Sequence, residues 1–213
     1  MTKGERARSA KEFFPKRKSL PAFRGAASDC QACDLWKRGT QTVFGAGGRG
    51  AELFFIGEQP GNEEDLTGTP FVGPAGGLLD EALVAAGIDR TQVYLTNVVK
   101  HFKWEPRGKR RIHKRPEAAE INACRPWLEA EIDLVKPKII VCLGATAAQA
   151  LLGSKFRVSK QRGQLIESTL ARYIMATVHP ASILRAPDHE SRLEERRRFV
   201  GDLKKISQVL KKL

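Results

Sequence analysis

Four short apolar runs punctuate the chain at wide intervals: Leu53 to Ile56, Val93 to Val99, Ile139 to Leu143, and Tyr173 to Val178. Their length and β-branched content predict strands buried on both faces, as in a parallel sheet. Between them, apolar positions recur at helical spacing over Gly76 to Ala86, Pro116 to Val135 and Ala145 to Leu152. Pro126 is expected to kink or divide the second of these helices. A last stretch, Asp188 to Leu213, carries Leu193, Phe199, Leu203, Ile206 and Leu210 at near-helical spacing and predicts an amphipathic helix packed on the sheet. Strand and helix alternate, so the expectation is a single α/β domain with a central four-stranded parallel sheet flanked by helices. In such sheets ligands lie beyond the carboxyl ends of the strands, which directs attention to the residues following each run.

Ahead of the first run, residues 1–27 carry Lys3, Arg6, Arg8, Lys11, Lys16, Arg17 and Lys18 among scattered apolar residues. They are read as a basic N-terminal arm, mobile or loosely docked, before a domain spanning residues 28–213. No apolar run approaches the roughly 20 residues that span a bilayer, and no apolar segment follows the basic N-terminus. The expectation is therefore a soluble, cytoplasmic monomer with no membrane partner. Lys and Arg number 37 against 24 Asp and Glu, a formal charge of +13 that suits a polyanion, nucleic acid first. The plainer reading of the same charge is a solvated basic surface with no specific partner.

The residues after each run are chemically rich. Gly57-Glu58-Gln59-Pro60-Gly61 forms a sharp turn that presents Glu58, Gln59 and backbone amides. Pro70 to Gly76 sets Phe71 among glycines that permit close approach of a ligand. Asn97 ends the second run with a side-chain donor and acceptor suited to a pyrimidine edge. His179 follows the fourth run, with Ser182 and Arg185 close behind. Each signal alone has an ordinary structural explanation: a turn, a core ring, a cap, a hydrogen-bonded histidine. Cys30, Cys33, Cys124 and Cys142 are the only cysteines. Without a secretion signal they read as metal ligands rather than disulfides, and spacing alone leaves zinc and an iron–sulfur cluster both open.

Taken together and in this order, these segments resemble the uracil-DNA glycosylase superfamily from about Asp29 to Arg185. Within it, the C-x-x-C pair at Cys30 and Cys33 followed by Cys124 and Cys142 resembles the iron–sulfur branch. That likeness implies a [4Fe–4S] cluster with a structural role. Gly57 to Gly61 combined with Lys109-Arg110-Arg111-Ile112-His113 looks like the UdgX-type glycosylases, in which this inserted loop supplies a histidine that bonds covalently to the sugar. Ala181 departs from the pattern, which more often has Ser there.

The resemblance implies uracil-containing DNA, single- or double-stranded, as substrate. Phe71 would stack on the flipped base, Asn97 would read its edge, and Gly57 and Gln59 would add contacts. His179 would stabilise the departing uracil. Glu58 and Gln59 would assist catalysis, Glu58 by orienting the imidazole of His113, the expected nucleophile. Lys109, Arg110, Arg111, Lys114, Arg115, Ser182 and Arg185 are expected to contact DNA, and the loop cations to oppose protonation of His113. The competing expectations are a conventional multiple-turnover iron–sulfur glycosylase, a non-enzymatic DNA-damage-binding module and an RNA-binding zinc protein.

Overall fold

The computed structural model describes residues 9–213. In chain order the elements are α1 (Leu20–Ala27), β1 (Leu53–Gly57), α2 (Asn62–Thr67), α3 (Pro74–Ala85), β2 (Val93–Asn97), β3 (Trp104–Arg107), β4 (Arg110–His113) and α4 (Ala118–Val135). They continue as β5 (Ile139–Leu143), α5 (Ala145–Leu152), α6 (Val158–Gln161), β6 (Leu165–Glu167), β7 (Tyr173–Thr177), α7 (Pro180–Leu184) and α8 (His189–Leu210).

The four apolar runs form β1, β2, β5 and β7, all mutually parallel. The sheet nevertheless has five strands, in the order β2-β1-β5-β7-β6, because β6 pairs antiparallel with β7. This corrects the four-stranded expectation: β6 is only three residues long and half exposed, so it has no apolar run to betray it. At the opposite margin Ala46 forms an antiparallel bridge with Leu95. A second, two-stranded sheet joins β3 to β4 in a hairpin that turns at Gly108, whose φ of +59 favours glycine.

Side chains alternate across each strand, and the core divides accordingly. Phe54, Ile56, Tyr94, Ile140, Cys142, Ile174 and Ala176 face one layer with α1, α4 and α5. Leu53, Phe55, Val93, Leu95, Val141, Leu143 and Met175 face the other, with α3, α7 and α8. Residues 9–27 are docked rather than loose: Ala10, Leu20, Phe23 and Ala27 are buried, and the rings of Phe14 and Phe23 lie 5.0 and 6.0 Å from that of Trp127. Residues 1–8 of the expected arm lie outside the described residues. Pro126 does not divide α4, which runs through it as one helix of 18 residues. It forfeits one backbone bond, to the carbonyl of the exposed Asn122, and packs its ring in the interior. No helix among the described residues is long and apolar enough to cross a membrane.

The registers bring strand ends level, Gly57 beside Asn97 and Leu143 beside Thr177. Glu58, Gly144 and the His179 loop therefore leave the sheet at one edge.

Candidate active site

At that edge lies a cavity of about 610 Å³ lined by Glu58, Gln59, Glu64, Phe71, Asn97, His113, Arg115, Thr146, His179 and Arg185, among others. It collects most of the residues predicted to carry chemistry.

Its floor is built by close approach. A Cβ on Gly57 would come within 2.8 Å of the Phe71 ring and would also strike the Asn97 amide, so only glycine lets these two groups face one space. Phe71 itself has a φ of +58, a conformation costly for a bulky side chain. The strain is held by its surroundings: its backbone packs over Gly76, where any Cβ would collide with the Phe71 carbonyl. Buried Glu64 joins the two loops, Oε2 accepting from Gly61 N (2.9 Å) and Oε1 from Gly73 N (2.8 Å). Glu64 was not among the expected site residues, although a Glu three residues after Gly61 is a capping signal. No hydrogen bond among the described residues occupies the side-chain amide of Asn97, which leaves its donor and acceptor for a ligand.

His179 caps α7, its Nδ1 accepting from Ala181 N at 3.1 Å. The neutral ring must then carry its proton on Nε2, as a donor. Burial, helped by Arg185 and His113, pushes the His179 pKa down to about 4, so the ring is neutral at pH 7. Its ring lies 6.1 Å from that of Phe71 at 25°. Residue 181 contributes through its main chain, so Ala in place of Ser leaves the histidine's geometry intact. Ser182 Oγ donates back to His179 O at 2.7 Å, on the exposed side of the turn.

Across the cavity, His113 Nε2 stands 3.5 Å from Glu58 Oε1. Thr146, buried at the start of α5 and absent from the sequence-based expectations, donates its hydroxyl to Glu58 Oε2 at 2.5 Å and fixes the carboxylate's direction. The His113 pKa is lowered, first by partial burial; Glu58 opposes the shift and Arg185 reinforces it. The effect expected of the loop's own cations thus comes from burial and Arg185.

Those cations point several ways. Lys109 and Arg110 are exposed at the hairpin tip. Lys114 pairs with Glu105 at 2.8 Å, and Arg115 Nε stands 3.9 Å from Glu58 Oε2. Arg111, expected to contact DNA, turns inward to Asp65 (2.6 Å) and is only 19% exposed. Gln59, expected to touch the base, commits its amide to the stem of the hairpin: Nε2 donates to Lys103 O (3.3 Å) and Lys114 O (2.9 Å), and Oε1 accepts from Lys103 N (2.9 Å).

The four-cysteine ligand set does not fit. The pKa values of Cys33 and Cys124 rise to about 11 and about 12, mainly through burial, and each thiol also feels the charge of another in the Cys30, Cys33 and Cys124 group. Cys142 rises to about 12 through burial alone, enclosed between β1 and β7 in the sheet core. It belongs to the apolar run that surrounds it. Two N–H groups point at sulfurs of the remaining three, Trp127 Nε1 at Cys30 (3.2 Å) and Lys100 N at Cys124 (3.3 Å), an arrangement that suits thiolates. His101, to which the sequence assigned no role, shares a hollow with Cys30 and directly follows Lys100. Thr42 donates its hydroxyl to Ala27 O, so the 2.9 Å bond between Thr42 and His101 Nε2 is donated by the ring. His101 Nδ1 therefore keeps its lone pair, as a metal ligand must. Among the described residues no three His, Cys, Asp or Glu side chains gather closely enough for a single ion. A cubane, whose ligands each bind a different iron, spreads them more widely.

This arrangement has known counterparts. Residues 44–204 match the model of the uracil DNA glycosylase superfamily, and the chain belongs to that superfamily. Over 185 residues it is 40% identical to the type-4 uracil-DNA glycosylase of Thermotoga maritima, covering 86% of this chain and 90% of that one. Over 189 residues it is 37% identical to the type-4 uracil-DNA glycosylase of Archaeoglobus fulgidus, covering 84% and 87%. A type-5 uracil-DNA glycosylase of Pyrobaculum aerophilum is 25% identical over 182 residues.

Proposed function

We propose that the protein excises uracil from DNA and captures the resulting deoxyribose on His113. The observation that carries this reading is the placement of His113 across the cavity from His179, with Glu58 between the imidazole and α5.

Uracil enters only after leaving the base stack. Phe71 then stacks on it, and the Asn97 amide meets its donor–acceptor edge. As the N1–C1′ bond breaks, its electron pair leaves with uracil, and His179 Nε2–H donates to the developing anion. The imidazole of His113 supplies its lone pair to the electron-poor C1′, forming a C–N bond. The resulting imidazolium loses its ring proton to solvent, and the Glu58 carboxylate offsets the positive charge while it lasts. Lys109, Arg110, Arg115 and Arg185 hold the flanking phosphates. The family likeness and the donor set favour a [4Fe–4S] cluster on Cys30, Cys33, Cys124 and His101. When bound, it would fasten the N-terminal segment to α4 and serve architecture rather than bond cleavage.

The names of the type-4 relatives favour a second reading, a glycosylase that releases abasic DNA and turns over repeatedly. A denaturing gel of protein incubated with uracil-containing single-stranded DNA separates the two. The proposal expects a shifted, heat-stable band that His113→Ser abolishes. Abasic product in molar excess over wild-type enzyme, with no shifted band, would overturn it.

A further inference from the structure

Arg111 is the most tightly held residue of the β3–β4 hairpin, and no DNA is needed to hold it. Its Nη1 donates to Asp65 Oδ2 (2.6 Å) and Thr40 Oγ1 (3.2 Å), its Nε to Asn62 Oδ1 (2.7 Å), and its Nη2 to Asn62 O (3.4 Å). The guanidinium also lies 5.5 Å from the Trp104 ring and 5.6 Å from the Phe102 ring. Asp65 is fully buried and receives two further donors, Thr40 N (2.9 Å) and Thr40 Oγ1 (2.6 Å). Its charge is thus prepared to accept one cation.

The position of this anchor matters. Residues two apart on a strand share a face: Arg111 turns into the body, and His113, exposed at the end of β4 on the same face, meets Glu58 at 3.5 Å, while Arg110 and Ile112 lie on the other face. A two-stranded hairpin is at best marginally stable alone. Gln59 grips its stem at Lys103 and Lys114, Trp104 Nε1 of β3 donates to Arg38 O (2.9 Å), and Arg111 supplies the side-chain hydrogen bonds that tie β4 to α2. Asp65 and Asn62 belong to α2, the helix that begins right after the turn bearing Glu58. Both the imidazole and the carboxylate facing it are therefore referred to one short helix.

We infer that Asp65 and Arg111 form a latch that keeps the hairpin closed in the free protein, so that His113 is already in place to capture C1′ before water does. Arg111 acts as a positioning residue, and the inference rests on the covalent reading above for its consequence but not for its geometry. An electron-poor sugar carbon partitions between nucleophiles according to how well each is held in place. A loosened hairpin shifts that partition toward water without altering Phe71, Asn97 or His179, none of which touches the latch.

The test compares wild type, Arg111→Gln and Asp65→Asn as full-length holoproteins. Asp65→Asn retains an acceptor for Thr40 and serves if Arg111→Gln fails to fold. With a uracil-containing single-stranded oligonucleotide, uracil release should stay within about twofold of wild type, while the ratio of covalent adduct to free abasic DNA falls about tenfold. Arg111→Lys, which keeps the charge but not the fork, should lie between. Independently of any DNA, amide hydrogen exchange across residues 104–113 should quicken in both variants while α4 and β5 stay protected. Unchanged exchange in the hairpin overturns the latch. So does an equal loss of uracil release and adduct. A wild-type protein that forms no adduct refutes the covalent reading instead, and the exchange measurement then decides the latch alone.

Discussion

Replacing Lys100 with methionine should destabilise the protein markedly, because it strips a buried ion pair of its cation. Lys100 and Glu131 are 1% and 0% exposed, and Nζ lies 2.5 Å from Glu131 Oε2. The ammonium also donates to Thr96 Oγ1 (2.7 Å) and to Asn97 O (2.8 Å). Methionine fills much of the volume but leaves a carboxylate in the core without its counter-charge. Breaking a buried pair on one side costs roughly 3–5 kcal/mol. Glu131 would still accept from Gly45 N (2.7 Å), Tyr94 Oη (3.2 Å) and Thr96 Oγ1 (2.9 Å), which places Lys100→Met at the lower end, ~3 kcal/mol. Glu131→Gln belongs at the upper end, ~5 kcal/mol, because a side-chain NH2 must face either the ammonium or the donors from Gly45 and Tyr94. At about 2–4 °C per kcal/mol for a chain of this size, Lys100→Met lowers Tm by ~6–12 °C. Urea unfolding of both single variants and the double variant completes a cycle, with coupling of at least ~2 kcal/mol. Additive losses, or a cost for Lys100→Met below ~1 kcal/mol, would refute the reasoning. Because Nζ also holds the Asn97 carbonyl, uracil excision should weaken in the same variant.

Because burial first and then Arg185 hold the His113 pKa below its ordinary 6.5, adduct yield should stay flat as pH falls through 6.5 and drop only below it. Arg185→Gln should move that drop upward, and a wild-type break above 6.5 would count against the assignment. His179 binds its proton only near pH 4 in the native state but near 6.5 when unfolded. The unfolded chain therefore takes up more protons in that window, and stability should fall as pH is lowered through it. Tm measured against pH should show a shallower slope for His179→Asn. Thr146→Val removes the hydroxyl that directs Glu58 and should slow adduct formation about tenfold in a quenched time course, a loss of ~1.4 kcal/mol. Cys142→Ala should retain iron and absorbance near ~400 nm, whereas Cys33→Ala, Cys124→Ala and His101→Ala should lose them. Loss of iron in Cys142→Ala alone would restore the four-cysteine set.

The four parallel strands were legible because a strand covered on both faces must be apolar at every position, and such runs stand out against helical spacing. The same logic hid β6, whose three half-exposed residues carry no such demand, and the docking of the segment around α1, whose basic residues drew attention from Phe14, Leu20 and Phe23. Gly57, Asn97 and His179 were legible because they stand at or just past strand ends, where an α/β sheet gathers its ligands, and Phe71 because it stands beside glycines that permit close approach. Spacing groups Cys142 with the other thiols: it registers that the residue is a cysteine, not that β5 encloses it between two strands. Arg111 was misread for a related reason. In a run of five basic residues around His113, only the alternation of a hairpin decides which ones face inward, and Gly108 was its sole visible mark.

The two flanks of the main sheet carry a consequence for behaviour at high local concentration. On the β2 side, Leu95 exchanges both of its backbone bonds with Ala46, and Lys100 O accepts from Val43 N. On the other, β6 offers three residues and ends at Glu167, paired with Arg172. Among the described residues a neighbouring copy finds no long row of vacant amides on which to extend the sheet. Molecules crowded along one damaged strand would therefore remain separate bodies rather than zip together.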